Sequence, residues 1–312
     1  MTTIPATPAS RSPSARHWLA IALLALIWGA TFLSLRTVLD ELPPATTVTW
    51  RVGLAAAILW AVVAARGLAV PRAPGPWAAL AVMGLLNNVV PFGLQAWGQQ
   101  FIPTGLVGIL NASTAVSGVL IAALFLPDER LTRSRLAGVA LGFTGVATAI
   151  GPDALRALDP ASMAQLAVVA SGLSYALAGV WGRVRLGGMH PLVAAAGMLS
   201  CSTILAAPVA LWLDGPLVPR APGTWIALGY FAGGATAGAY LLYFALLRRV
   251  GSGNLMLVTL LVAPIAICLG ALVRGEVLGV ATWAGFVILA LGLLVLDGRA
   301  LHALRRRATP RG

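Results

Sequence analysis

Ten long apolar blocks leave this chain few ways to fold. They cover residues 18–35, 45–65, 77–97, 105–126, 136–150, 161–181, 192–212, 224–247, 255–273 and 278–296. A helix needs roughly 20 apolar residues to cross about 30 Å of hydrocarbon. The block 136–150 is short, but it can begin near Leu131. The pattern predicts an all-α integral membrane protein with ten crossings. A soluble helical bundle needs polar helix faces, and few of these blocks have one. Charged residues make up 10% of the chain, against about 25% in soluble domains.

The net charge of +12 is carried entirely by arginine, since all 21 basic residues are Arg. Placing the N-terminus in the cytoplasm puts sixteen of them on that side, among them Arg66, Arg72, Arg183, Arg185 and the tail Arg305, Arg306 and Arg307. Four fall outside (Arg36, Arg156, Arg220 and Arg274), and Arg51 lies within the second block. This asymmetry places both termini in the cytoplasm. The charge therefore reads as orientation and contact with anionic lipid headgroups, not as nucleic-acid binding. Residues 1–16, rich in Ser, Pro, Thr and Ala, read as a disordered tail.

The chain also matches itself. A shift of 147 residues carries Trp28 onto Tyr175, Arg36 onto Arg183, Pro44 onto Pro191, Glu129 onto Glu276, Gly138 onto Gly285 and Gly145 onto Gly292. A shift of 148 carries Trp77 onto Trp225. The first block thus has a twin and is a structural helix, not a cleaved signal peptide. Five crossings per repeat is an odd number, so the second copy enters the membrane from the opposite side. Inverted repeats are a frequent plan of secondary transporters, with substrate near the midplane where the halves meet.

The stretch NNVVPFGLQAWGQQFIPTGLVGILNAST, residues 87–114, concentrates six side-chain amides in an apolar sequence. With LFLPDERLTRSRLAGVALGFTGV after it, this run is similar to the first repeat of EamA-type transporters, in the drug/metabolite transporter superfamily. TLLVAPIAICLGALVRGEVLGVATWAGFVILALGLLVL is similar to the second. Glu129 and Glu276 match that family's recurrent Gly-Glu position. Ala115 departs from it, standing where a proline is frequent. The resemblance implies a first repeat at 17–151, a second at 159–298 and a basic cytoplasmic tail at 299–312. It also implies export of small metabolites such as amino acids across a cell inner membrane, with no particular compound indicated.

Asn87, Pro91 and Gln95 share one helix face. Pro91 lacks an N–H and is expected to free the carbonyl of Asn87, four residues earlier. Asn111 and Thr114 form a face on the next helix. Asn87, Asn88, Gln95, Asn111 and Thr114 are therefore candidates for a polar pocket, set against plain interhelical bonding at about 0.6 kcal/mol each. Gln99 and Gln100 read as solvated loop residues. Arg51 has two readings: a guanidinium that binds a substrate carboxylate, or a structural one that snorkels to the outer headgroups or bonds helix ends. Trp28 and Tyr175, equivalent and mid-helix, are candidates to flank a substrate, as more weakly is Tyr240. Pro91, Pro208 and Pro264 are candidate hinges.

No block centre carries Asp or Glu, so a proton-relay carboxylate of the usual kind is not expected. His17, His190, His302, Cys201 and Cys268 form no metal-ligand or thiol pattern, and no Gly-Lys phosphate loop is present. No cofactor or metal is expected. A membrane enzyme acting on lipid-linked substrates is the competing function, and the scarcity of His and Asp weighs against it. A membrane sensor or assembly subunit is another, without a signalling domain to favour it. Stripes of small residues fit packing within the chain or between protomers.

Overall fold

A computed structural model describes residues 15–102, 104–126, 132–150, 159, 162–243, 245–246, 257–274 and 279–297. Among these residues the fold is entirely helical. The helices are α1 (Ala15–Gly29), α2 (Thr31–Leu39), α3 (Pro44–Ala65), α4 (Pro74–Gly84), α5 (Val90–Gly98), α6 (Thr104–Phe125) and α7 (Arg133–Ile150). The second half supplies α8 (Met163–Arg185), α9 (Pro191–Leu213), α10 (Pro222–Gly229), α11 (Leu257–Arg274) and α12 (Val280–Asp297). Two π-helical segments, Leu85–Val89 and Tyr230–Gly238, continue α4 and α10.

Among the described residues, seven helical spans are long and apolar enough to cross a membrane: Arg16–Leu39, Pro44–Ala65, Pro74–Gly98, Leu106–Phe125, Met163–Arg185, Pro191–Leu213 and Pro222–Tyr243. The other three expected crossings coincide with α7, α11 and α12. The apolar cores of α7 and α12, Leu136–Ala149 and Val280–Gly292, are shorter. The protein is thus a multi-pass membrane protein. Glu129 and Glu276 lie outside the described residues.

Local signals recur in both halves. Proline opens α3, α4, α9 and α10, where its missing N–H costs no helical bond and its fixed φ suits the first turn. Trp77 and Trp225 each donate an indole N–H to the carbonyl of a proline six residues earlier, Pro71 and Pro219, at 3.0 Å. The same local sequence therefore builds the same helix entry twice.

Equivalent helices of the two halves pack against each other and run antiparallel. At one end of α3, Thr46 donates its N–H and hydroxyl to Asp214 at the end of α9, at 2.9 and 2.8 Å. Further along, Gly53 faces Thr203, and the Trp60 indole donates to Ser200 at 2.7 Å. In the α7–α12 pair, Gly145 faces Leu289 and Gly285, while Gly292 faces Gly138 and Gly142. Two further pairs join non-equivalent helices across the halves in a reciprocal exchange, α1 with α11 and α8 with α6.

One polar latch joins the halves outside the spans. The Glu41 carboxylate accepts hydrogen bonds from the Arg220 and Ala221 backbone N–H groups. The Thr224 hydroxyl bond, then these N–H groups and the Arg220 charge, hold the Glu41 carboxyl below its ordinary value against a smaller effect of desolvation. The stability it contributes is present above the unfolded carboxyl value and is lost as pH falls through the lower folded value. The thermal midpoint of the wild type is expected to fall across that acid window, and Glu41→Gln to fall less. Thermal unfolding of both proteins at stepped pH measures the difference.

Candidate functional site

The helix irregularities gather at the centre of the bundle. In the first π segment the Val90 N–H reaches the Leu85 carbonyl, five residues back. In that register the proline at 91 frees the carbonyl of Leu86, not that of Asn87 as expected. The Ser174 hydroxyl of α8 donates to Leu86 O at 2.7 Å. A neighbouring helix thus satisfies the group that the lipid could not. A shift of 148 residues carries 85–89 onto 233–237, inside the second π segment, so both halves break the same helix at the same place. The second break has no proline. It falls in the glycine-rich run YFAGGATAG, where backbone is easily rewound.

The second break is tied to α1. The Tyr230 hydroxyl donates to Ile27 O at 2.6 Å, just before the kink at Ala30, and the Trp28 indole donates to Ala235 O at 3.2 Å. Trp28 also packs on Tyr243, with ring centroids 6.1 Å apart. Its equivalent Tyr175 instead meets Phe92 edge-on at 6.4 Å. The structure therefore gives the two equivalent rings different partners.

Two amide networks radiate from the first break. The Asn87 side chain donates to the Tyr240 hydroxyl at 2.8 Å, and that hydroxyl donates to Asn88 Oδ1 at 3.2 Å. Asn88, fully buried, donates to Ser202 Oγ of α9 at 2.9 Å. About two turns further, the Gln95 amide donates to Asn111 Oδ1 at 2.9 Å and to Ser171 Oγ at 3.1 Å. Thr114 stands apart from both. Its backbone lies against Gly172 of α8, in the seam between α6 and α8. Gln99, expected in a solvated loop, is fully buried, and its carbonyl accepts from Arg36 at 3.2 Å.

Arg51 does not snorkel: it is 8% exposed. Its guanidinium carbon lies 3.6 Å from the Phe92 ring centroid and 4.3 Å from that of Phe231. Its Nε donates to Thr236 Oγ1 at 3.0 Å, and Thr236 passes its own proton to Phe231 O at 2.8 Å. Among the described residues no carboxylate pairs with Arg51. A buried Arg costs about 2.5–3.5 kcal/mol at a bilayer centre. Two desolvated ring contacts of about 2 kcal/mol each offset a cost of that size. Tyr175 and Tyr240 lie within electrostatic reach of the same cation.

A pocket opens beside it, lined by Leu35, Thr47, Val48, Arg51, Phe92, Gln95, Ala96 and Phe231. Its enclosed space is about 10 Å³, room for a water-sized group, and it continues into space open to the outside. Asn87, Asn88 and Tyr240 lie in the hydrogen-bonded network rather than on the pocket wall. Phe92, Phe231, Thr236, Ser202, Ser171 and Ser174 complete the site, and none stood out in the sequence. A usable signal was available in the internal shift: Asn88 falls on Thr236, and Arg51 falls on Met198.

Pro91 is buried at the junction of π and α helix. Pro208 faces outward, and Pro208 and Pro264 lie inside helices that run on through them. The marked irregularities are instead at Ala30, Leu85–Val89 and Tyr230–Gly238.

Residues 16–151 and 162–296 each match the EamA-like transporter family. The chain belongs to that family. It is 26% identical over 93% of its length to a probable terminal-alkyne amino-acid exporter of Streptantibioticus cattleyicolor, covering 96% of that protein. It is likewise 26% identical to a probable amino-acid metabolite efflux pump of Salmonella typhimurium, covering 88% of this chain and 92% of that one. Protein PagO of the same organism is 27% identical, over 40% of each chain. A solved crystal structure shares the fold, with a TM-score of 0.72 and 19% identity over 91% of this chain and 98% of that one. This EamA family member is a membrane transporter of small molecules.

Proposed function

We propose that the protein is an inner-membrane secondary exporter of small metabolites, amino acids or their derivatives foremost, that works by alternating access. Its two halves, 17–151 and 159–298, are inverted five-span repeats, giving ten crossings with both termini cytoplasmic. The observation that carries this reading is the junction of the two broken helices, where irregular segments of both halves meet among buried polar and aromatic side chains. Irregular backbone at membrane depth is tolerated where it lies within protein or lines a cavity. Antiparallel packing of equivalent helices supports the inversion, and the sixteen-to-four arginine split supports the orientation and contact with anionic headgroups. Trp28, Arg51, Asn87, Asn88, Gln95, Asn111, Tyr175 and Tyr240 serve the site directly or brace it, while Thr114 serves helix packing. The name of each exporter relative points to the amino-acid class, and among the described residues no His, Cys, Asp and Glu cluster could hold a metal ion.

Counterflow in proteoliposomes tests this reading. Vesicles preloaded with unlabelled amino acids are expected to accumulate the labelled compound at least fivefold over protein-free vesicles, with the label chemically unchanged. Conversion of the label to a product would favour an enzyme, and absence of flux across an amino-acid panel would remove the exporter reading. Termini that proved reactive to impermeant reagents from opposite faces would remove the inverted topology.

A further inference from the structure

We propose that the Arg51 pocket is a carboxylate subsite, which makes Arg51 the residue that selects the substrate's head group. This proposal rests on the transporter reading and names what that site recognises.

The geometry leaves one part of the guanidinium unused. The Phe92 and Phe231 rings take up its aromatic-facing surface, and Nε is committed to Thr236. Thr236 is itself oriented, because its proton goes to Phe231 O. The cation is thereby held at one edge and over two rings, so its orientation is fixed before any ligand arrives. The two terminal nitrogens make no hydrogen bond among the described residues, and Arg51 lines the pocket. A planar pair of N–H donors in that arrangement matches the two oxygens of a carboxylate. A compact ammonium ligand would instead meet a like charge in a poorly solvated site.

The absence of an internal counter-ion has a physical consequence. None of the nine acidic residues falls within the seven spans. A buried cation without a carboxylate keeps a strong preference for an incoming anion, since the ligand supplies the charge that the fold withholds. Next to it stands Gln95. Both of its amide protons are engaged, by Asn111 and Ser171, so Oε1 is the atom left to the pocket. That oxygen accepts a hydrogen from an amine or hydroxyl borne close to the carboxylate. The walls at Leu35, Val48 and Ala96 are apolar, so an aliphatic body would find an apolar surface there once the pocket widens in transport. The repeat makes the asymmetry plain: the equivalent of Arg51 is Met198, so the pseudo-symmetric partner site carries no charge.

Leucine, 4-methylpentanoate and leucinamide separate the groups, because they keep one aliphatic body and differ in carboxylate and amine. Binding is read by thermal shift and tryptophan fluorescence on detergent-purified protein, and transport by counterflow. Leucine and 4-methylpentanoate are expected to bind at least tenfold more tightly than leucinamide. Arg51→Met is expected to abolish that preference, and Arg51→Lys to retain part of it. Thr236→Val keeps the charge but frees its edge, and is expected to weaken carboxylate binding three- to tenfold, which keeps the test intact if Arg51→Met does not fold. Leucinamide binding as tightly as leucine would overturn the proposal, as would binding of none of the three or an unchanged preference in folded Arg51→Met. Leucinamide flux that ignores Arg51→Met would leave the transporter reading standing while sinking the carboxylate subsite. Absence of any flux would count against the transporter reading itself.

Discussion

Gly285→Leu is expected to yield no monodisperse folded protein on size-exclusion chromatography in detergent. At this position α12 crosses α7 with backbone against backbone. A Cβ on Gly285 would fall on the backbone N and Cα of Ala149 and lie 2.5 Å from the Gly145 carbonyl oxygen. Overpacking against side chains costs about 1–3 kcal/mol because rotamers can give way. Backbone cannot rotate aside, so the whole helix pair must separate. Small residues let transmembrane helices approach this closely, and packing is the main force available between helices in lipid. The loss is large against a total stability of about 5–15 kcal/mol. Gly285→Ala already carries the Cβ that meets the Ala149 backbone, so it too is expected to destabilise the helix pair strongly, though less than leucine with its added bulk. Gly179→Ala is the control: that glycine is exposed on α8, with nothing within 4 Å of the added carbon. Its midpoint is expected to hold or rise slightly, since alanine is the better helix former by about 0.5–1 kcal/mol.

Asn88→Leu is expected to lower the transport rate by at least tenfold while leaving a folded protein. The side chains are close in size, so packing changes little, but three hydrogen-bonding neighbours lose a partner. Ser202 loses a donor, the Tyr240 hydroxyl loses its acceptor and Asn87 loses a weak contact at 3.4 Å. A stranded buried polar group costs about 1–3 kcal/mol. Measured interhelical bonds in membranes average nearer 0.6 kcal/mol, because freed groups find other partners. The stability loss should therefore fall at the low end. Transport is more sensitive, since a change of about 1.4 kcal/mol in a barrier is tenfold in rate. This network ties α9 of the second half to the broken helix of the first, where the proposed alternating access has the halves move past each other. Counterflow rates set beside thermal midpoints distinguish the two effects. Equal, modest losses in both would reduce Asn88 to ordinary glue.

Much of this was legible in the residues. Block length against bilayer thickness gave a membrane protein, and Pro44 with Pro191 or Trp77 with Trp225 gave the duplication, because turn and anchor signals act locally. The amides announced a polar centre, because an unsatisfied amide is costly in lipid wherever it lies. Arg51 stood out for the same reason, but its two readings could not be separated. Burial beneath Phe92 and Phe231 removed the snorkelling one, and those rings come from different spans. For Thr114 the spacing gives a helix face and not what lies opposite, which is Gly172. The expected hinge at Pro208 rested on a local rule, yet the described helix runs on through it. The second π segment has no proline to announce it.

The sequence by itself determined the solvent, the helices and the repeat, since hydrophobic length, proline placement and internal similarity act within one segment. Only the tertiary structure decided which polar groups meet. Arg51 reaches Thr236 across 185 positions and Asn88 reaches Ser202 across 114. Contacts at that separation depend on how two antiparallel halves interlock, and no local propensity encodes that.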